Sequence, residues 1–118
     1  MTYAQIFTYH IDLPTKEAYL KNFVDPYAEA LSQVNGLISK VWLADYKDKY
    51  ASFYLWESKE AMDAFMNSPM VAGLGKIPFL TNLSITEYPV VEEASEITRG
   101  ISKKAEKSLV TPEALTGF

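Results

Sequence analysis

Residues 36–65 hold two segments of alternating side chains, and a segment with helical spacing follows them directly. The alternation over residues 37–45 and 50–57 predicts two strands, and the polar residues between them predict a hairpin turn. Ser58 is a good helix N-cap, and the apolar residues after it recur at the spacing of one helix face. A hairpin that leads straight into an amphipathic helix favours a sheet with helices packed on it.

The rest of the chain extends this order on both sides. Alternation over residues 3–11 and 81–89 predicts a first and a fourth strand, and residues 15–34 predict a helix. The apolar stripe of that helix contains Tyr19, Phe23, Tyr27 and Leu31. The resulting order, βαββαβ, is that of the ferredoxin-like fold, an α+β arrangement in which one antiparallel sheet carries both helices on one face.

Some segments are expected to interrupt this regular order. Pro26 lacks an N–H and crowds the preceding turn, which predicts a kink or break near Asp25 and a second helical segment over residues 26–34. Ser68 and Pro69 predict the end of the second helix. The glycines and proline within residues 71–80 predict an irregular connection.

Two domain-level segments are expected. Residues 1–100 should form a ferredoxin-like domain. Residues 101–118 should form a C-terminal extension that is partly disordered or packed on a partner subunit, because composition changes from acidic to basic along the tail and termini are often poorly ordered.

Sorting the strand residues by parity gives two faces of different chemistry. A mostly aliphatic set is expected to face the helices: Ala4, Ile6, Thr8, Val41, Leu43, Phe53, Leu55, Leu83 and Ile85. The other set is both aromatic and polar: Gln5, Phe7, Tyr9, Lys40, Trp42, Ser52, Tyr54, Trp56, Ser84, Thr86 and Tyr88. Such a mixed face suits neither full solvation nor a dry core. We therefore expect it to enclose a partly polar cavity against the same face of an identical subunit, which predicts a homodimer.

Composition limits the class of function. The chain has 118 residues, no cysteine, a single histidine and a net charge of −4. The lack of cysteine excludes a disulfide framework and a thiolate nucleophile, and a lone histidine argues against a metal site. An acidic chain without a concentrated basic face argues against nucleic acid as a partner. No segment has the apolar length of a membrane span and the start lacks the features of a signal peptide, so we expect a cytoplasmic protein with no membrane partner.

The order of elements, together with GLISKVWL, FYLWESKEAMDAF and the SP pair that follows, resembles the dimeric alpha-beta barrel superfamily, also called antibiotic-biosynthesis-monooxygenase-like. Within it the chain is most similar to the YdhR-like monooxygenases, over residues 3–100. The matching features are Gln5, Pro26 with Ala28 and Glu29, Gln33, Gly36, the run from Lys40 to Trp42, Tyr54 with Leu55, and Ser58. The superfamily includes cofactor-free oxygenases of phenols and anthrones, heme-degrading enzymes, polyketide cyclases and lactone isomerases.

This resemblance implies a monooxygenase that needs no cofactor and that uses dioxygen on a small aromatic or polyketide-like substrate. In such a reaction a base in the pocket takes a phenolic or enolic proton, and the resulting carbanion passes an electron to dioxygen. Lys40 is the first candidate base, because aromatic surroundings lower the pKa of an amine; it could also attract a substrate anion. His10 is a second candidate, although strict parity puts it on the helix side with Ile6 and Thr8. The Tyr54 hydroxyl is a candidate directional donor.

Seven further residues are predicted to contact the substrate: Gln5, Phe7, Tyr9, Trp42, Trp56, Thr86 and Tyr88. In the alternative interpretation the aromatic residues only fill the dimer interface and Lys40 runs along the sheet to water. Two other functions also stay open on this scaffold. One is a non-oxidative cyclase or isomerase, and the other is a non-enzymatic protein that binds a small ligand or serves in a stress response.

The heme-degrading branch can be compared with this chain residue by residue. Its members need a tryptophan on the second helix and a histidine further on, and the matching positions here are Phe65 and a residue near Gly75. Neither side chain could serve a heme in that manner. The resemblance therefore implies no cofactor.

Overall fold

Four strands form a single antiparallel sheet in the computed structural model, which describes residues 1–102. They are β1 (Tyr3–Ile11), β2 (Leu37–Ala44), β3 (Tyr50–Trp56) and β4 (Leu80–Pro89), in the spatial order β2-β3-β1-β4. The predicted ferredoxin-like α+β fold is confirmed. Residues 103–118, and with them most of the predicted C-terminal extension, lie outside the described residues. No helix within residues 1–102 has the length and apolarity that would let it cross a membrane.

The first helical segment is continuous but contains a wide turn. α1 (Lys16–Tyr19) leads into a π-helical turn (Leu20–Val24) and then into α2 (Asp25–Leu31). Of the predicted kink or break near Asp25, a break does not occur, since Asp25 keeps helical dihedral angles of φ −59° and ψ −48° and its N–H donates to the Leu20 carbonyl five residues back. This wider turn immediately precedes Pro26, so the helix accommodates the proline ring by local widening rather than by breaking. The predicted second helical segment corresponds to α2.

The second helical segment comprises two short helices, α3 (Lys59–Met66) and α4 (Pro69–Leu74). The Ser58 hydroxyl caps α3 by accepting the Ala61 N–H at 3.1 Å. Ser68 and Pro69 end α3 as predicted, and they also start α4 as its N-cap and first-turn proline. The prediction of an irregular connection over residues 71–80 is therefore wrong for residues 71–74, which belong to α4.

In β1, β2 and β3 the face predicted to pack on the helices and the face predicted to point away from them are exchanged in the structure. The face that packs on the helices is the aromatic and polar one, with its most deeply buried members Gln5, Phe7, Tyr9, Ser52, Tyr54 and Trp56. The aliphatic side chains of Ile6, Val41 and Leu43 are instead 39–50% exposed on the other face. For β4 the prediction is confirmed, because Leu83 and Ile85 pack against the helix-covered core.

Internal hydrogen bonds explain why the mixed face can be buried. The Trp56 Nε1–H donates to Gln5 Oε1 at 2.8 Å, and the hydroxyls of Tyr9 and Ser52 share a hydrogen bond of 2.7 Å. Because these four polar groups find partners on the same face, burial leaves them satisfied. The aromatic and polar face, which was expected to meet a second subunit, thus meets the helices of its own chain.

A last short helix, α5 (Glu92–Ile97), lies at one end of the aliphatic face. The Thr2 backbone N–H donates to Glu92 Oε2 at 2.7 Å, and Glu96 lines a depression together with Leu55 and Ile38. Leu55 is only 3% exposed, unlike Val41 and Leu43 on the same face. The α5 region therefore covers one end of this face and leaves the centre and the hairpin end open.

Candidate functional site

A cavity of about 20 Å³ lies between the sheet and the first helical segment. Its lining combines one amine, hydroxyl groups, aromatic rings and aliphatic side chains: Phe7, Tyr9, Phe23, Tyr27, Lys40, Ser52, Tyr54, Leu74, Leu80 and Leu83. This volume is enough for about one water molecule. A larger ligand therefore needs side chains in the wall to move.

Strand register brings the polar groups of this wall together. In the β2–β3 ladder Lys40 is directly opposite Tyr54, and Trp42 is directly opposite Ser52. In the β1–β3 ladder Phe7 is opposite Ser52. Directly paired residues of antiparallel strands project on the same face, so these side chains form one contiguous wall.

Lys40 Nζ lies against two ring faces, at 3.2 Å from the Trp42 ring centroid and 4.7 Å from that of Tyr54. Burial lowers the pKa of the Lys40 amine to about 7. The two ring faces act in the opposite direction, since a cation–π contact favours the ammonium by about 0.5–2 kcal/mol. Desolvation is the larger effect because no carboxylate lines the cavity to replace the lost water. Lys40 is consequently a group that changes protonation state near neutral pH.

Tyr9 and Tyr54 remain neutral where Lys40 titrates. Burial raises the pKa of Tyr9, and the hydrogen bond with Ser52 only partly opposes this. Burial also raises the pKa of Tyr54, with smaller contributions from Tyr9 and Tyr27. These phenols are hydrogen-bonding groups, and Lys40 is the acid–base group among the lining residues.

A buried hydrogen-bonded chain lies behind Tyr54. Gln5 accepts from Trp56 and donates through Nε2 to Glu87 Oε2 at 3.0 Å. The Trp56 ring is parallel to that of Tyr54, with centroids 6.1 Å apart and an interplanar angle of 1°. Gln5 and Trp56 thus fix the position of Tyr54 from behind and do not line the cavity.

The helical wall is made by Phe23 and Tyr27. Phe23, on the π-helical turn, packs edge-on against Tyr9 and Trp42, with ring centroids 5.8 and 5.9 Å apart. Its ring centroid is 5.3 Å from that of Tyr27. The sequence showed both residues in the apolar stripe of the first helix but gave no sign that this stripe lines a site. Leu74, in the helix α4 that was not predicted, completes this side.

The structure brings five of the ten predicted site residues together. Phe7, Tyr9, Lys40 and Tyr54 line the cavity, and Trp42 contacts Lys40. Gln5 and Trp56 support the wall from behind.

The other three predicted residues lie elsewhere. His10 is paired with Thr81 on the face opposite the helices, and its ring is 6.3 Å from that of Tyr50. The register shift in the β1–β4 ladder, where Asn82 has φ 57°, does not bring His10 to the cavity. Thr86 and Tyr88 are on the aliphatic face, paired with Ile6 and Ala4, so their predicted grouping with Phe7 and Tyr9 is wrong.

The described residues offer no cluster of metal ligands and no histidine at the cavity. Residues 1–102 contain no group of three or more histidine, cysteine, aspartate or glutamate side chains that could hold a metal ion. The cavity lining includes no histidine, and His10 lies on the other face. Nothing in this wall offers heme iron the imidazole ligand that is common in heme proteins.

Residues 6–101 match the family described as "Putative mono-oxygenase ydhR", and the chain belongs to this family. No curated protein sequence is significantly similar to the chain.

Solved structures show the same fold at low sequence identity. A single-residue mutant of SnoaB, a cofactor-independent oxygenase from Streptomyces nogalater, is 11% identical with a TM-score of 0.61, covering 77% of this chain and 94% of that one. The monooxygenase ActVA-Orf6 of Streptomyces coelicolor, in complex with nanaomycin D, is 20% identical with a TM-score of 0.58, covering 75% and 86%. The heme degrader MhuD from Mycobacterium tuberculosis, with two hemes bound, is 23% identical with a TM-score of 0.52, covering 75% and 95%.

Proposed function

We propose that this protein is a cofactor-independent monooxygenase that acts on a small aromatic or polyketide-like substrate. The observation that carries the proposal is the Lys40 amine, which lies against the Trp42 and Tyr54 rings in a cavity without a carboxylate. Membership of a monooxygenase family supports it.

The chemistry requires a base and exclusion of water rather than a prosthetic group. Neutral Lys40 takes a proton from an acidic phenol or from the methylene carbon of an anthrone. The anion passes one electron to dioxygen, the resulting radical and superoxide combine to a peroxide anion, and the Lys40 ammonium returns the proton to give a hydroperoxide. Loss of water from the hydroperoxide leaves a carbonyl group, so that one oxygen atom enters the product and the other leaves as water. Until it returns this proton, the Lys40 ammonium offsets the negative charge that develops during these steps.

The wall of the cavity supports an aromatic substrate. Phe7, Phe23 and Tyr54 present rings that can stack on a planar ligand, and the Tyr9–Ser52 pair can bind its hydroxyl groups. The fold relative ActVA-Orf6 was solved with nanaomycin D, which supports a polyketide-like ligand for this site too. A ligand of that size needs the helical wall to move outward from the position seen here.

We further propose that the protein is a homodimer formed through the aliphatic face of the sheet. Ile6, Val41 and Leu43 expose 39–50% of their surface there, and contiguous apolar surface is typical of an interface. Pairing of two such sheets gives a barrel, in keeping with the superfamily. Each protomer then keeps its own cavity beneath its helices.

Oxygen consumption tests the proposed activity. Purified protein is mixed with dithranol, a hydroxylated anthrone, and dioxygen uptake is compared with quinone formation. We expect equal amounts of both, about a 10²-fold lower rate for Lys40→Met, in keeping with loss of a general base, and an unchanged rate for Lys49→Met on the exposed hairpin.

Two results would overturn the proposal in favour of the other functions. Conversion that proceeds equally well under nitrogen would indicate a cyclase or isomerase, which uses the same base without dioxygen. Tight binding of dithranol without conversion, unaffected by Lys40→Met, would indicate a ligand-binding protein.

A further inference from the structure

We propose that Lys40 is also a nucleophile, which forms an imine with small aldehydes and ketones and makes the cavity a carbonyl-binding site. This inference rests on the cavity assigned under the proposed function, but it requires neither dioxygen nor an aromatic substrate.

The surroundings of the amine carry this inference. Lys40 Nζ is held between the ring faces of Trp42 and Tyr54 and lines the cavity directly. An amine in aromatic surroundings with no adjacent carboxylate is the arrangement that keeps a lysine nucleophile neutral. The titratable groups that face it across the cavity are three phenols, those of Tyr9, Tyr27 and Tyr54.

Lys59 shows the contrasting arrangement on the surface of the same chain. Its Nζ is 2.7 Å from Asp63 Oδ2, and its side chain is 55% exposed. This hydrogen bond raises the pKa of Lys59, whereas burial lowers the pKa of Lys40 to about 7. At pH 7 a larger fraction of Lys40 than of Lys59 is therefore neutral.

The chemical step is balanced by groups already in the cavity. The neutral nitrogen attacks the carbonyl carbon and gives a carbinolamine. The former carbonyl oxygen then leaves as water with both protons of the amine, and a C=N bond replaces the C=O bond. The hydrogen-bonded hydroxyls of Tyr9 and Ser52 are the groups of the same wall that can pass a proton to the leaving oxygen.

The volume of the cavity indicates the size of the carbonyl compound. Space for about one water molecule admits a two-carbon aldehyde with only small movements of the wall. Acetaldehyde is therefore the probe of choice.

Reductive trapping tests the inference on the full-length protein. Acetaldehyde and sodium cyanoborohydride are added at pH 7 under nitrogen, and ethylated lysines are located by peptide mass spectrometry at several times. The larger neutral fraction of Lys40 favours its ethylation, whereas its lower basicity and restricted access oppose it. We expect Lys40 to be ethylated at least about tenfold faster than Lys59. Lys40→Arg should lose this fast labelling while Lys59 reacts at its former rate.

Ethylation of Lys40 no faster than that of Lys59 would overturn the inference, and this result needs no variant to be interpreted. The outcome is also independent of the oxygenase proposal. Fast trapping without dioxygen uptake would leave only the imine chemistry, and dioxygen uptake without trapping would leave only proton transfer.

Discussion

At the scale of single residues, Lys40 links the stability of the fold to pH. Its folded pKa of about 7 lies below the ordinary value of 10.5, so folding disfavours the ammonium form. The cost is complete below the folded pKa and is relieved as pH rises from about 7 to about 10.5, because the unfolded chain alone binds this proton in that interval.

We therefore expect the free energy of unfolding of the wild type to increase by about 1–3 kcal/mol between pH 6 and pH 9, relative to Lys40→Met. Methionine keeps most of the apolar stem and has no charge to desolvate. Urea denaturation of both proteins at the two pH values measures this difference. Identical pH profiles would show that the ring faces fully compensate the lost hydration.

Gln5 illustrates a residue that supports the site without touching the cavity. It is fully buried and binds both Trp56 and Glu87. Gln5→Met has a similar volume but leaves the Trp56 N–H without its partner, which should cost about 1–3 kcal/mol of unfolding free energy. Gln33→Met, on the exposed end of the first helical segment, should cost less than about 0.5 kcal/mol. Chemical denaturation at pH 7 compares them, and equal costs would refute a supporting role for Gln5.

At the scale of elements, the π-helical turn places Phe23 where it limits the cavity. Phe23 contacts rings from the sheet as well as from α2. Replacing it with leucine removes part of the wall, so we expect stronger binding of planar aromatic ligands such as alizarin, at a cost of about 1–3 kcal/mol in stability.

Phe65→Leu is the matched control for this variant. Both residues are 4% exposed, but Phe65 packs on Tyr54 and Trp56 and does not itself line the cavity. It should lose similar stability and bind alizarin as the wild type does. Fluorescence titration measures the affinity, and equal affinities for both variants would show that Phe23 does not control access.

Comparison of these elements with the sequence shows what local patterns can predict. Alternation located all four strands, and Ser58 located the start of α3, because these signals depend on neighbours along the chain. The π-helical turn at Phe23 was missed because it depends on how the helix accommodates Pro26. Helix α4 was missed because Ser68 and Pro69 both end one helix and start the next.

The orientation of the strands was mispredicted for a different reason. Parity separates two faces but does not say which one meets the helices. Hydropathy favoured the aliphatic set, whereas the pairs Gln5–Trp56 and Tyr9–Ser52 make the aromatic set suitable for burial. Such pairing between strands is a tertiary contact. The sequence could therefore predict that Lys40 lies among aromatic rings in a cavity, but not on which side of the sheet this cavity lies.

At the scale of the whole molecule, this reversal determines what a second subunit would cover. Hydropathy predicted that the helices cover the face with Val41 and Leu43, but in the structure these side chains are exposed. Two such faces can bury each other through an isologous contact. The cavities lie on the other side of each sheet. Dimer formation and the chemistry of Lys40 are therefore expected to be separable by mutation.

The double variant Val41→Glu/Leu43→Glu tests this separation. Two buried carboxylates on each side of an interface without matching cations should abolish association, because desolvation of a charge outweighs the apolar contact that it replaces. Light scattering coupled to size-exclusion chromatography should give a dimer for the wild type and a monomer for the variant. Ala64→Glu, on the exposed side of α3, should remain dimeric. Reductive trapping at Lys40 should persist in the monomer, since its cavity is built from one chain. A variant that remains dimeric would place the interface on another surface of the molecule.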